Sequence, residues 1–251
     1  MSTPGRCTAP WRSPVKPLAA NLRRRARIEA TSTLLRASCL LRSACSRRST
    51  AVPTPDVPSR IIPAGELLQH ISRSAYRGTA LHFGRSGGNR YDDRTLRFGT
   101  LYVGFDLATA LMESVFRQHR WSRRAKRVIT RTEVYARMVR AIGVLEPLSL
   151  ADLTAPGVMA SQFGLNLAQL AGRRYVHTQR IAAMLHEFVE PDGAHRFDGV
   201  LYPSRNNHPA PCAALFDRSS AKLSLVDDIA LRDHVDWPSF LSQYQVVVLP
   251  A

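Results

Sequence analysis

Cysteine, acidic residues and long apolar runs are all scarce in this chain, and each scarcity excludes something. Only four cysteines occur in 251 residues; Cys7, Cys39 and Cys45 lie near the start, leaving Cys212 alone in the rest. A disulfide framework is therefore ruled out, and a reducing compartment, the cytoplasm, is expected. Neither C-x-x-C nor paired Cys/His spacing is present. His186-Glu187 lacks the second histidine of H-E-x-x-H, and His177 and His186 fall on opposite helix faces, so no metal site is expected. No run nears the ~18 apolar residues that span a bilayer. P-loop, Rossmann and G-x-S-x-G signatures are also missing, which removes the commonest phosphate-binding loops and the hydrolase elbow.

Acids number 19 against 35 Lys and Arg, a net charge of +16. The excess is uneven: residues 1–55 hold eleven Arg and Lys and one acid, Glu29, so ten of the sixteen charges lie there. That stretch is rich in Arg, Ser, Ala and Pro and has no sustained periodicity, which predicts a disordered basic leader. A plain basic tail or a misassigned start fits it better than a transit peptide. Ala51–Pro58 reads as an extended proline-rich linker. One folded domain is expected over residues 56–251, and the 45% hydrophobic content is enough to give it a core. A basic nucleic-acid-binding protein is the non-enzymatic alternative, but charge concentrated in the leader makes direct nucleic-acid binding by the domain unexpected.

Within the domain, patterning predicts a helix over Pro63–Ile71 and a strand over Ala75–Thr79. A glycine-rich loop over residues 83–99 follows, then a strand over Gly99–Phe105 and a helix capped by Asp106 running to about Gln118. Further strands are expected over Arg127–Tyr135 and Gly143–Leu150, and a helix over Tyr175–Phe188. Short strands over Gly199–Tyr202, Cys212–Phe216, Lys222–Val226 and Gln245–Leu249 complete the reading. Closely spaced late strands indicate an α+β domain with mixed or antiparallel sheets and flanking helices.

Four residues could carry chemistry. Arg90 sits in the glycine-rich loop with Gly87 and Gly88, where backbone N–H groups and guanidinium groups can meet a phosphate. Tyr102 lies on one face of the next strand, and Glu113 on the helix after it. Ser204 follows a short apolar strand. Each has a plainer reading: a solvated loop arginine, a sheet-covering tyrosine, a surface glutamate paired with Arg117, a turn serine. Cys212, among small apolar residues, fits a buried position better than a nucleophile.

Taken in order, Gly87-Gly-Asn-Arg90-Tyr, Gly99-Thr-Leu-Tyr102-Val-Gly, Thr109-Ala-Leu-Met-Glu113 and Leu201-Tyr-Pro-Ser204 resemble the RES-domain toxins, over roughly residues 60–230. Tyr76-Arg77 resembles an early Tyr-Arg that the family carries on a strand. The resemblance implies a fold similar to ADP-ribosyltransferases and cleavage of NAD at the nicotinamide–ribose bond, with Arg90, Tyr102, Glu113 and Ser204 catalytic. Arg77, Gly87, Gly88 and Arg90 would then bind the dinucleotide. NAD is a substrate in this reading and no cofactor is implied. The acceptor stays open between water, inorganic phosphate as co-substrate, and a protein side chain, which would make the enzyme an ADP-ribosyltransferase. The expected partner is an Xre-like antitoxin, and a homo-oligomer is among the assemblies the reading allows.

Overall fold

The computed structural model of the chain describes residues 55–79, 81–118 and 127–250. The predicted leader, as far as Thr54, lies outside the described residues. The end of the proline-rich stretch is not a free linker: Val57 is fully buried in the core, and the Pro58 carbonyl accepts from the Asp152 amide.

Among the described residues ten strands and six α-helices follow: β1 (Ser59–Ile62), β2 (Leu67–Arg73), β3 (Thr100–Gly104), α1 (Leu107–Glu113), β4 (Arg127–Thr130), α2 (Arg131–Tyr135), β5 (Arg137–Val144), β6 (Leu148–Asp152), α3 (Val158–Phe163), α4 (Leu167–Ala171), α5 (Val176–Glu187), β7 (Gly199–Pro203), β8 (Pro211–Phe216), β9 (Leu223–Ala230), α6 (Trp237–Gln243) and β10 (Val246–Leu249). Eight strands form one sheet in the order β1-β6-β7-β8-β3-β2-β5-β9, and β10 pairs with β4. Within the large sheet every pairing is antiparallel except β6 with β7. The α+β expectation holds.

Alternation along the strands separates two faces. Leu68, Leu101, Val103, Ile142, Leu150, Leu201 and Leu215 share one cluster with Ile62 near one sheet edge and Leu223 at the other, so the sheet curls around this core. The opposite face carries two more clusters. Tyr91, Val200, Tyr202, Ala214 and Phe216 pack with Ile181, Ala182 and Leu185 of α5, while Ile71 packs with Leu107, Ala110 and Leu111 of α1 and with Trp237 and Phe240 of α6. Tyr102 packs against the first of these clusters.

Several elements differ from their sequence reading. Pro63–Ile71 is not a helix. Leu67, Leu68 and Ile71 have helical spacing, but β2 is paired on both sides, and Leu68 and Ile71 point to opposite buried faces. The strand expected over Ala75–Thr79 is instead a single 3-10 turn, Ser74–Tyr76, so Tyr76 and Arg77 are on no strand. Arg127–Tyr135 divides into β4 and α2, and Gly143–Leu150 into the end of β5 and the start of β6, two strands that do not pair with each other. Helix α1 stops at Glu113 rather than near Gln118, and the Ser114 hydroxyl closes it by donating to the Ala110 carbonyl at 2.6 Å.

Candidate active site

Two carboxylates organise the irregular segment between residues 83 and 99. Asp92 is 2% exposed. Its Oδ2 accepts from the Ser86 hydroxyl (2.6 Å), the Gly88 amide (3.1 Å), the Asn89 amide (3.0 Å) and Asn89 Nδ2 (3.1 Å). Its Oδ1 accepts from the Tyr102 hydroxyl at 2.9 Å, and that hydroxyl accepts from the Tyr91 amide at 2.8 Å. Asp93 does the same for the second half of the loop, accepting from the amides of Thr95 and Arg97 and from both side chains. Burial would raise the Asp93 carboxyl, but the hydrogen bonds from Arg97 and Thr95 outweigh it and hold it down at about 2. From α5, Gln179 Nε2 donates to the carbonyls of Gly87 and Asn89, both at 2.9 Å.

That scaffold presents Arg90. Its side chain belongs to a residue only 9% exposed, and its guanidinium lies over the Tyr202 ring, 5.6 Å from the centroid. Among the described residues it makes no hydrogen bond or ion pair. Burial alone would lower it; Tyr91, Glu113, Tyr202 and Tyr175 around it outweigh that and raise it, so it stays a cation.

Glu113 reaches the same cleft from α1. Asp106 caps that helix, accepting from the Thr109 amide at 2.6 Å. Gly104 lets it settle on the sheet, because a Cβ there would lie 2.7 Å from the Ala110 nitrogen. The turn after β7 then closes on the carboxylate: Glu113 Oε1 accepts from the Ser204 hydroxyl (2.8 Å), the Arg205 amide (2.8 Å) and the Asn206 amide (3.2 Å). The Ser204 hydroxyl accepts in turn from the Asn207 amide at 2.9 Å. Side-chain bonds from Asn206 to the Met112 carbonyl and from Asn207 to Thr109 Oγ1 fasten this turn to α1. Among the described residues no donor reaches Oε2, which leaves one carboxylate oxygen for a ligand.

The cleft has two chambers. One, of about 350 Å³, is polar and is lined by Arg90, Tyr102, Glu113, Arg117, Arg137 and Arg205 with Tyr175 and Tyr202. The other, of about 290 Å³, is largely apolar and is lined by Tyr91, Leu153, Met159, Leu170, Pro203 and His208. Arg90 and Arg205 border both. Cys212 is buried in β8; burial first, then the nearby Glu113, pushes its thiol up, which favours the protonated form.

Arg90, Tyr102 and Glu113 thus line the polar chamber, and Ser204, 1% exposed, lies in the wall of the apolar one and donates its hydroxyl to Glu113. The hydroxyls of Tyr102 and Ser204 are both engaged within the protein. Gly87 and Gly88 lie in the Arg90 loop, with the Gly88 amide turned onto Asp92. Arg77 stands apart: it pairs with Asp228 of β9 at 3.2 Å and lines neither chamber. Sequence reading missed Asp92, Gln179, Tyr202, Arg137 and Arg205. An aspartate three residues after a Gly-Gly-Asn turn is a local signal for the first of these. The others come from distant segments and leave no such trace.

The model of the family described as "RES domain" matches residues 67–238. Among solved structures, a chain of the M. tuberculosis MbcT–MbcA toxin–antitoxin complex is similar in fold, with a TM-score of 0.50 and 15% identity, covering 74% of this chain and 91% of that one. Comparison with curated proteins gave no match.

Proposed function

Because this chain belongs to the RES-domain family, whose model covers residues 67–238, we propose that it cleaves NAD at the nicotinamide–ribose bond, as the toxin of a toxin–antitoxin pair. The observation that carries this reading is a buried cation, Arg90, that makes no hydrogen bond or ion pair among the described residues and shares a chamber with a carboxylate, Glu113, whose Oε2 accepts from no donor among them. NAD has the complementary charges: an anionic pyrophosphate in the middle and a cationic nicotinamide riboside at one end. A forked guanidinium suits the first. The carboxylate suits the second, and more so as the bond breaks and positive charge spreads onto the ribose.

The residues then divide the work. Arg90 and Arg205, bordering both chambers, hold the pyrophosphate. The apolar chamber takes the adenosine end, and the polar chamber takes the ribose whose bond is cut. Glu113 Oε2 accepts from a ribose hydroxyl and faces the developing oxocarbenium. Ser204 and the amides of Arg205 and Asn206 fix the carboxylate through Oε1, so it need not reorganise as the bond breaks. Nicotinamide leaves as a neutral molecule and requires no general acid. The toxin role draws on the family and on the similar fold, which was solved as a toxin–antitoxin complex; an Xre-like antitoxin is the partner we assign.

Expression of the full chain in bacteria should arrest growth and deplete NAD, and Glu113→Ala or Arg90→Ala should relieve both. Arrested growth with undiminished NAD, in cells holding folded protein, would overturn the activity.

A further inference from the structure

Three hydrogen bonds in series join the C-terminal end of α6 to the carboxylate in the polar chamber. The Tyr244 hydroxyl donates to Asn207 Oδ1 at 2.7 Å, and Asn207 Nδ2 donates to Thr109 Oγ1 at 2.8 Å, so the Asn207 amide is held at both ends. The Asn207 backbone N–H donates to Ser204 Oγ at 2.9 Å, and Ser204 Oγ donates to Glu113 Oε1 at 2.8 Å. A serine hydroxyl has a single proton; with the Asn207 N–H on its acceptor side, that proton is left for Glu113. Tyr244 is itself firmly placed. Its amide closes α6 on the Phe240 carbonyl at 3.0 Å, Gln245 turns the chain into β10 through a left-handed φ of 51°, and Arg127 at the start of β4 donates to the Tyr244 carbonyl at 3.2 Å. Its ring stacks on Phe240, 4.7 Å between centroids. Burial, then the nearby Asp106, raises the phenol above its ordinary value, so it keeps its proton and acts as the donor. Tyr244 lies beyond residues 67–238, the span of the family match, so that likeness assigns it no part.

We propose that Tyr244 is a positioning residue for the reaction: through Asn207 it holds the turn that fixes Glu113, and so ties the C-terminal α6–β10 segment to the active site. The inference rests on the NAD-cleaving reading. Tyr244 lines neither chamber, so its effect runs through geometry. Asn207 ends a turn whose other amides, of Arg205 and Asn206, meet the same carboxylate oxygen as Ser204. Releasing the Asn207 side chain from Tyr244 lets that turn shift, and the three donors lose their alignment on Oε1 together. Glu113 must then reorganise as charge develops on the ribose, which slows bond breaking and leaves pyrophosphate binding at Arg90 as it was. The bond from Asn206 Nδ2 to the Met112 carbonyl, 3.0 Å, still fastens the turn to α1, so the loss is partial.

The test compares the full-length wild type with Tyr244→Phe, which keeps the ring on Phe240 and removes only the hydroxyl, with Asn207→Ala, and with the double variant; melting curves confirm folding. Initial rates are measured on NAD, and amide hydrogen exchange is followed at Arg205, Asn206 and Asn207. Tyr244→Phe should lower kcat by about 3- to 10-fold, the worth of one neutral hydrogen bond, with KM for NAD within about twofold of the wild type. Added to Asn207→Ala, it should lower kcat by less than about twofold, because the tether it serves is already gone. Exchange at the three amides should quicken in Tyr244→Phe while that of the β3–β8 ladder holds. An unchanged kcat in Tyr244→Phe, a full further loss in the double variant, or unaltered exchange at the turn would overturn the proposal. If the wild type leaves NAD whole while Tyr244→Phe still loosens the turn, the cleavage reading falls and the tether from Tyr244 to Glu113 stands.

Discussion

Among the described residues two arginines are almost wholly enclosed, and their surroundings differ. Arg140 on β5 is 1% exposed, and its guanidinium is answered by the protein: it donates to the Thr79 carbonyl at 2.9 Å and the Tyr76 carbonyl at 2.5 Å, and lies 3.7 Å from Asp228. Arg90 is 9% exposed and, among the described residues, has the face of Tyr202 and the fields of Tyr91 and Glu113 but no hydrogen bond or ion pair. Burying a charge is expensive, so a buried cation is normally compensated by its own fold. Arg140 pins the turn that follows β2; in the proposed function Arg90 instead takes the anion of the substrate.

Substituting the two arginines separates stability from activity. Arg140→Met leaves the Thr79 and Tyr76 carbonyls unpaired and Asp228 with Arg77 as its remaining ion pair, and should cost about 3–5 kcal/mol of folding stability, read from denaturant titration, with little change in turnover per folded molecule. Arg90→Met should do the reverse: NAD cleavage falls about 10²-fold in kcat/KM while the melting temperature holds or rises, because an unpaired charge has been removed. A large stability loss in Arg90→Met would erase the contrast.

A smaller effect sharpens the same comparison through the scaffold of Arg90. Tyr102→Phe deletes the hydroxyl that joins Asp92 to the Tyr91 amide, and should cost about 1–3 kcal/mol through the amide left unpaired. If Tyr102 acts by positioning, kcat/KM falls because Arg90 is displaced, and the loss in Tyr102→Phe/Arg90→Met is smaller than the product of the two single losses. Independent, multiplying losses would place the Tyr102 hydroxyl on the substrate instead.

The smallest effect concerns pH. Burial lowers His70 from 6.5, and burial with the nearby Arg218 lowers His186 to about 4. The unfolded chain therefore binds more protons than the folded one below pH 6.5, and stability rises with pH over that window. Melting temperature should drop steadily as pH falls from about 6.5 toward 4. In His186→Phe, which keeps the stack on Phe98, that slope should be shallower. A slope identical to that of the wild type would show that His186 does not titrate there.

The sequence made some of this legible. Strand β3 carries a clean alternation, β7 and β8 are short apolar runs between turn residues, helix α5 forms a long periodic segment, and Asp106 announces the start of α1. Strand β2 was hidden because the sheet buries both its faces, which lets Leu67, Leu68 and Ile71 imitate a helical stripe. Strand β1 was hidden because three of its four residues are exposed at a sheet edge. At the site, Arg90, Tyr102, Glu113 and Ser204 were singled out through a family pattern, since no local rule distinguishes a cleft-lining glutamate from a surface one. What the pattern did not carry is the wiring: five donors on Asp92, three on one oxygen of Glu113, and the reach of Gln179 across 90 residues to the Asn89 carbonyl. Those contacts depend on tertiary closure, and residue order alone does not encode them.

The central claim is that Arg90 and Glu113 serve one dinucleotide, and purified full-length protein tests it directly. Mass spectrometry of NAD incubated with the wild type should reveal free nicotinamide, equal in amount to the NAD lost. Glu113→Gln, which keeps an oxygen for Ser204 but removes the charge, should form it about 10³-fold more slowly. Intact NAD with the folded wild type, or nicotinamide release by Glu113→Gln at the wild-type rate, would contradict the account.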